Sequence, residues 1–273
     1  YGGGIWRSED DGETWSEVTT NARDAVVWDL ARGDDPLTTF YAATEDRGLL
    51  RSESFSPQWR PANTGLGTGL IPAVFDVEVF PLDPLRIVAG TSSGAQVSRS
   101  RGSAWADTLR VSPVEAVRAV TVLPQTPRTV HYVGPSGLGI QRGSEAVLET
   151  IDAGLPGDAF LFDFAPWPGD VDRFVVADFD GEVWEVVDGA RFERTKAGAG
   201  FSPLPRFYRV DVTDGGSGPV IRVGADRGLF VSADGGATWT QQARGRSAVH
   251  AEIWEILVDD PSTGELLLGG FVD

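Results

Sequence analysis

A pattern of four short apolar runs recurs along the chain, and its period constrains the fold more than any other feature. One position near the start of the first run marks each copy and serves as an anchor. The anchors are Asp29, Asp76, Ala119, Asp163, Arg209 and Glu255. Successive anchors are 43 to 47 residues apart. Because Gly, Pro, Asp and Ser separate the runs and helical periodicity is hard to find, the sequence predicts an all-β chain.

A period of this length with four strands per unit is the sequence signature of a propeller blade. We therefore predict a six-bladed β-propeller with four antiparallel strands per blade, formed as a single domain by residues 1–273. The predicted blades are 26–63, 74–108, 117–150, 160–195, 207–242, and 253–273 together with 1–18.

The sixth copy contains only two apolar runs, and residues 1–18 supply the other two. We expect the N-terminal strands to complete the last blade as a two-plus-two clasp. Such a closure would leave no open sheet edge between the first and last blades.

Two stretches of the chain share the pattern S-x-D-x-G-x-T-W. Its residues are Ser8, Asp10, Gly12, Thr14 and Trp15 in the first copy, and Ser232, Asp234, Gly236, Thr238 and Trp239 in the second. Eroded copies keep Ser52 with Trp59, and Ser98 with Trp105. The pattern resembles the Asp-box of the bacterial neuraminidase (BNR) repeat. The stretch 27–59 also resembles blades of xyloglucanase-like, sortilin-like and photosystem-assembly-factor-like propellers, which implies a sialidase-like propeller fold.

The chemistry of the Asp-box favours a structural role. A short acidic side chain bonds the backbone of a tight turn, glycine accepts a positive φ, and tryptophan packs between sheets. We expect Trp15, Trp59, Trp105 and Trp239 to be largely buried. The turns between strands two and three, and the connections between blades, would form the opposite face, where propellers of this resemblance place ligands.

Arginine and aromatic residues are predicted near the start of the first strands on that opposite face. The candidates for ligand binding are Arg118, Arg209 and Tyr208, with Trp28 and Trp254 as stacking surfaces. Bidentate arginine contacts and ring stacking suit a carboxylate-bearing or hydroxyl-rich ligand. The leading hypothesis is a noncatalytic propeller that binds a glycan or a protein.

A small glycoside hydrolase or polysaccharide lyase is the alternative. Its general acid or base would be Asp76, Asp163 or Glu252. The anchor acids also have a structural explanation, because buried acids are normally hydrogen-bonded. No sialidase arginine triad matches this sequence, and the xyloglucanase-like cleft needs two propellers. Convergence of these acids with the arginines in one pocket would favour the enzyme.

Composition excludes several other functions. The chain has no cysteine, and its two histidines lack metal-ligand spacing, so we expect no metal and no cofactor. A net charge of −17 argues against nucleic acid as a partner. The longest apolar runs are too short for a membrane span. We expect a monomer, and the missing initiator methionine favours an extracellular or periplasmic protein.

Overall fold

The regular structure in the described part of the chain consists of β-strands. A computed structural model describes residues 4–7, 14, 16–18, 22–33, 38–53, 58–67, 70–105, 107–108, 115–126, 129–135, 137–142, 148–195, 204–216, 218–242, 251–260 and 265–272. These residues contain 24 strands and no helix. The all-β prediction is therefore confirmed.

The strands form sheets of consecutive, neighbouring segments. A two-stranded sheet contains β1 (Ile5–Arg7) and β2 (Ser16–Val18). The first four-stranded sheet contains β3 (Val27–Arg32), β4 (Thr39–Thr44), β5 (Gly48–Glu53) and β6 (Arg60–Pro61). The second contains β7 (Val74–Val79), β8 (Ile87–Thr91), β9 (Gly94–Ser98) and β10 (Asp107–Thr108). The third contains β11 (Ala119–Thr121), β12 (Thr129–Gly134), β13 (Gly137–Arg142) and β14 (Leu148–Ile151).

The later strands continue the same organisation. The fourth four-stranded sheet contains β15 (Leu161–Trp167), β16 (Asp170–Asp178), β17 (Val183–Val187) and β18 (Arg191–Arg194). The fifth contains β19 (Phe207–Asp214), β20 (Pro219–Ala225), β21 (Gly228–Ser232) and β22 (Thr240–Gln242). The last two strands, β23 (Ala251–Asp260) and β24 (Glu265–Val272), pair with each other. The count of six blades and the closure by residues 1–18 stay predictions.

Local sequence explains the short turns that join the second and third strands of a sheet. Gly48 and Gly228 begin the third strands β5 and β21 with φ values of +70° and +100°, which side chains with a Cβ rarely adopt. At Gly48 a Cβ atom would also lie 2.6 Å from the Asn63 side chain. Glycine therefore allows a tight reversal, and buried apolar residues follow it directly: Leu49 and Leu50 in β5, and Leu229 and Phe230 in β21.

Two compact units divide the chain. The first comprises Tyr1–Tyr132 and Gly139–Glu149, and the second comprises Val133–Leu138 and Thr150–Asp273. In the first unit, Tyr41, Leu49, Ile87 and Trp105 belong to one buried core. In the second, the core includes Val175, Phe207, Ile221 and Phe230. Side chains from consecutive sheets fill each core, so removal of apolar surface from water stabilises the contact between those sheets.

The second Asp-box closes the turn between β21 and β22 with its own hydrogen bonds. The Ser232 hydroxyl donates to Asp234 Oδ1 at 2.8 Å and accepts from the Gly236 N–H at 2.8 Å. Thr238 donates from its N–H and its hydroxyl to the Asp234 carboxylate at 2.8 and 2.5 Å. The Trp239 indole N–H donates to the Gly236 carbonyl at 3.1 Å. These contacts hold the turn together internally.

An eroded copy between β9 and β10 keeps much of this geometry. The Ser98 hydroxyl accepts from the Gly102 N–H at 3.0 Å, and the Ser100 hydroxyl accepts from the Ala104 N–H at 3.0 Å. Ser100 thus stands where the intact copy has aspartate. Trp59 and Trp105 are buried, and Trp239 is half-buried. Thr14 is exposed. Other residues of the first box lie outside the described part of the chain, and these are Ser8, Asp10, Gly12 and Trp15.

Candidate functional site

A β-bulge interrupts the first strand of several sheets at one repeat position. In the β3–β4 ladder, Val27 pairs with Thr44 and Asp29 pairs with Ala43, so the register skips Trp28. The same skip recurs one residue before the anchor in four further ladders. The skipped residues are Trp28, Phe75, Phe162, Tyr208 and Trp254. A bulge bends the strand and redirects a side chain, and all five redirected side chains are aromatic.

The bulge lies at the opposite end of its sheet from the Asp-box turn. In the fifth sheet, Phe207 pairs with Ala225, which pairs with Gly228 at the start of β21. Ser232 ends β21 and begins the box. Tyr208 therefore lies beside the turn between strands two and three, at the sheet end where the sequence predicted ligand binding.

In the first unit, Arg118 and two bulge residues form a row. The rings of Trp28 and Phe75 meet edge to face with centroids 6.3 Å apart. The Arg118 guanidinium lies 4.0 Å from the Phe75 ring centroid. Burial lowers the pKa of Arg118, and the nearby Glu45 carboxylate partly opposes this effect. Arg118 is thus held against a ring of its own unit.

In the second unit, five aromatic residues form a cluster. Tyr208 stacks on Trp254, with ring centroids 3.8 Å apart and ring planes within 8°. Phe162 and Phe179 each lie 6.0 Å from Tyr208 between ring centroids, and Phe160 lies 5.7 Å from Phe179. We call Phe160, Phe162, Phe179, Tyr208 and Trp254 the aromatic cluster. Tyr208 is buried, whereas its four partners are half-buried.

The turn between β16 and β17 positions Phe179 within the cluster. The Phe179 N–H donates to the Phe160 carbonyl at 2.9 Å, and the Phe160 N–H donates to Asp178 Oδ1 at 3.3 Å. Burial raises the pKa of Asp178, and the backbone donors Asp180 and Phe160 partly oppose that shift. These two hydrogen bonds therefore fix the turn against Phe160, the residue that precedes β15. They position two of the five rings of the cluster, those of Phe160 and Phe179.

Charged groups border the aromatic cluster. The Arg206 guanidinium lies 5.4 Å from the Phe179 ring centroid. The backbone N–H of Arg206 donates to Asp226 Oδ1 at 3.1 Å. The Trp254 indole N–H donates to Glu252 Oε2 at 3.2 Å. Burial raises the pKa of Tyr208 to about 12, and the Glu252 and Asp226 carboxylates add to this shift. One guanidinium and two carboxylates therefore act electrostatically on the Tyr208 hydroxyl.

The anchor carboxylates link consecutive first strands within each unit. Asp76 Oδ2 accepts from the Val120 N–H at 2.7 Å, and Asp163 Oδ2 accepts from the Val210 N–H at 2.7 Å. Asp29 makes the same contact with the Val77 N–H at 3.1 Å. Each carboxylate thus completes the hydrogen bonding of a backbone group in the next sheet.

The predicted ligand-binding residues fall into different surroundings. Trp28 and Arg118 belong to the row of the first unit, and Tyr208 and Trp254 belong to the aromatic cluster. The Arg209 Nε lies 3.7 Å from the buried Asp163 carboxylate. Arg209 therefore helps to neutralise an internal acid of the second unit.

Sequence reasoning missed several members of these aromatic groups. Phe75 and Phe162 stand one residue before the anchors Asp76 and Asp163, as Trp28 does before Asp29. The repeat alignment already contained this signal. Phe160 and Phe179 join the cluster through the turn contacts, which the alignment of anchors does not include.

The described ranges lack both a metal-binding cluster and a membrane-spanning helix. No group of three or more His, Asp or Glu side chains there is arranged to hold a metal ion. The same residues include no helix with the length and apolar character needed to cross a membrane.

Solved structures share the fold of this chain at low sequence identity. An ancestral GH74 enzyme has a TM-score of 0.72 at 16% identity, over 94% of this chain and 39% of the enzyme. The extracellular domain of BT4673 from B. thetaiotaomicron has a TM-score of 0.73 at 15% identity, over 98% of this chain and 35% of that protein. YCF48 bound to D1 peptide has a TM-score of 0.67 at 17% identity, over 99% of this chain and 85% of YCF48.

These likenesses establish the fold and leave the family unassigned. The chain is a β-propeller whose repeats resemble those of xyloglucanase-like and photosystem-assembly-factor-like propellers, as the sequence predicted. It spans less than half the length of the GH74 enzyme and of BT4673. No protein-family description matches the chain, and no curated protein matches it by sequence.

Proposed function

We propose that this chain is a noncatalytic recognition domain that binds a glycan or a polypeptide on the face opposite its Asp-box turns. An extracellular or periplasmic location belongs to the same proposal. The observation that carries it is a division of roles between neighbouring residues. The anchor carboxylates bond the backbone of the next sheet, while the aromatic residues one position earlier are redirected by bulges.

The contacts of the acids argue against catalysis. A general acid or base must reach the proton that it transfers, within hydrogen-bond distance of the substrate. Asp76 and Asp163 instead accept backbone hydrogen bonds at 2.7 Å, and Asp163 also pairs with Arg209. Glu252 accepts from the Trp254 indole at 3.2 Å. These carboxylates have structural partners that account for their positions.

The aromatic residues argue for binding. Half-buried rings with a few polar groups among them are typical of ligand sites, because ring faces provide contact area and the polar groups fix orientation. The aromatic cluster combines four half-buried rings with Arg206, Asp226 and Glu252. The fold likeness to YCF48 bound to a peptide supports a polypeptide ligand.

A small glycoside hydrolase or polysaccharide lyase is the second candidate. The fold likeness to a GH74 enzyme favours it, although this chain covers only 39% of that enzyme. Under this alternative, Asp76, Asp163 or Glu252 would have to exchange its present partner for a substrate.

A binding screen tests the proposal. The purified chain is applied to immobilised glycans and peptides, together with the variants Trp254→Leu and Trp6→Leu. Trp6 is the matched control because it is an exposed tryptophan, 52% accessible, outside the aromatic cluster. We expect a ligand that binds the wild type and Trp6→Leu and binds Trp254→Leu more weakly. Equal binding by all three folded proteins, or no binding in either panel, would contradict the proposal.

A further inference from the structure

We propose that the aromatic cluster of the second unit binds the cationic side chain, guanidinium or ammonium, of a partner polypeptide. This inference rests on the proposed function and narrows its ligand class. The partner is identified by charge: an exposed arginine or lysine segment that inserts a side chain among Phe179, Phe162 and Trp254.

Ring geometry makes the cluster suitable for a cation. A cation is attracted by an aromatic face when it lies within about 6 Å of the ring centroid. Phe162 and Phe179 stack at 5.7 Å between centroids, with their planes inclined by 27°. Phe160 meets Phe179 nearly at right angles, with an interplanar angle of 79°. The rings therefore present both faces and edges within a small area, and four of the five are only half-buried.

The chain itself places guanidinium groups on aromatic rings in both units. At the repeat position one residue before the anchor, five copies carry an aromatic residue and the remaining copy carries Arg118. Its guanidinium lies 4.0 Å from the Phe75 ring centroid. In the second unit, Arg206 lies 5.4 Å from the Phe179 ring centroid. Phe75 at this position of the repeat thus accepts a guanidinium, and so does Phe179 in the turn between β16 and β17. The bulge residues of the second unit are all aromatic.

Charge at the border of the cluster selects a cation over other ligands. The Glu252 carboxylate accepts from the Trp254 indole N–H at 3.2 Å, and the Asp226 carboxylate accepts from the Arg206 backbone N–H at 3.1 Å. Both carboxylates raise the pKa of Tyr208. Charge-assisted hydrogen bonds to these carboxylates would hold an ammonium or guanidinium group. The net charge of −17 adds long-range attraction for a cationic partner. An acidic ligand would meet repulsion from these two carboxylates, which outnumber the single guanidinium of Arg206 at the border of the cluster.

Calorimetric titration of the intact chain tests this assignment. The probes are the blocked peptides Gly-Arg-Gly-Arg-Gly and Gly-Glu-Gly-Glu-Gly and a neutral oligosaccharide. Glu252→Gln removes one border carboxylate, and we expect about tenfold weaker binding of the arginine peptide, as for a lost charged hydrogen bond. Phe179→Leu removes one ring, and we expect roughly two- to fivefold weaker binding.

Asp172→Asn is the matched control for charge. Asp172 is exposed near the first residue of β16, whereas Phe179 follows the last residue of that strand. We expect this variant to bind the arginine peptide like the wild type, which would place the attraction at the cluster. Circular dichroism of each variant verifies that the fold is retained.

Three outcomes would overturn the inference, and only the third would also reject the proposed function. Equal weakening by Glu252→Gln and Asp172→Asn would assign the attraction to the acidic surface in general. Preferential binding of the acidic peptide or the oligosaccharide, weakened by Phe179→Leu, would reject the cationic ligand and keep the recognition function. An absence of binding by all three probes, together with an empty screen of glycans and peptides, would reject both.

Discussion

The Val210 N–H donates a 2.7 Å hydrogen bond to the carboxylate of Asp163, which lies 47 residues earlier in the chain. Asp76 and Val120 repeat this relationship at the same distance in the other unit. In three repeats the acidic anchor, Asp29, Asp76 or Asp163, thus joins its own first strand to the first strand of the next sheet. This link gives a structural reason for the recurrent acidic anchor.

Replacing Asp163 tests that link. Asp163→Ala would leave a buried backbone N–H without its acceptor, and we expect a loss of about 1–3 kcal/mol in the free energy of unfolding. Urea unfolding measured by tryptophan fluorescence gives this value. Asp163→Asn is the control, because its amide oxygen still accepts the hydrogen bond and should preserve more stability. Wild-type stability in Asp163→Ala would show that the contact is dispensable.

Trp105 links a box-like turn to the core of the first unit. It is 6% exposed, and its indole N–H donates to the Ala62 carbonyl at 2.7 Å. Trp105→Ala should lower the free energy of unfolding by about 3–5 kcal/mol, as for other large buried aromatic residues. Trp105→Phe keeps a ring and loses the donor, so its loss should be smaller. A fully exposed Trp105, detected by efficient iodide quenching of its fluorescence, would be incompatible with this packing.

Acidic pH should loosen the Asp-box turn. Hydrogen bonds from the Thr238 side chain, the Thr238 backbone and Ser232 lower the pKa of Asp234 from 3.8 to about 2. Because the folded pKa is depressed, the stabilisation is complete above the ordinary value and is lost as pH falls through about 2. Carboxyl NMR titration measures this pKa. Thr238→Val removes the largest contribution and should raise it, and an unchanged value would refute the assigned cause.

The Arg118 guanidinium and the Phe75 ring should be energetically coupled. A double-mutant cycle with Phe75→Leu and Arg118→Gln should give a coupling of about 0.5–2 kcal/mol in the free energy of unfolding. This result would identify Arg118 as a stacking partner inside its own unit. Additive effects of the two substitutions would instead leave Arg118 available for the ligand contact that its position in the sequence suggested.

The repeat period predicted the strands well, because four apolar runs separated by turn residues define a four-stranded sheet. It could not predict the bulges, since alternation of side chains along a strand assumes a regular ladder. Trp28 and Trp254 were identified as stacking surfaces for a ligand, while Phe75 and Phe162 at the same position were overlooked. The pairing of Arg209 with Asp163 was also missed, because sequence spacing does not reveal which side chains of neighbouring strands meet.

The Asp-box also shows what sequence patterns could and could not predict. The intact copy at 232–239 could be identified by its residues, whereas the copy at 98–105 keeps only serine, glycine and tryptophan. Ser100 provides the acceptor that aspartate provides in the intact box, at 3.0 Å from the Ala104 N–H. A hydroxyl and a carboxylate can accept the same backbone hydrogen bond, so the turn survives a substitution that removes the motif.

Product formation by the wild type and by Asp163→Asn tests the central claim most directly. Both proteins are incubated with soluble polysaccharides, and reducing ends and unsaturated products are followed over time, while binding to the arginine peptide is measured in parallel. If the anchor acids are structural and the aromatic cluster is the ligand site, both proteins bind the peptide equally and neither releases product. Steady product release by the wild type that disappears in folded Asp163→Asn would contradict a noncatalytic role.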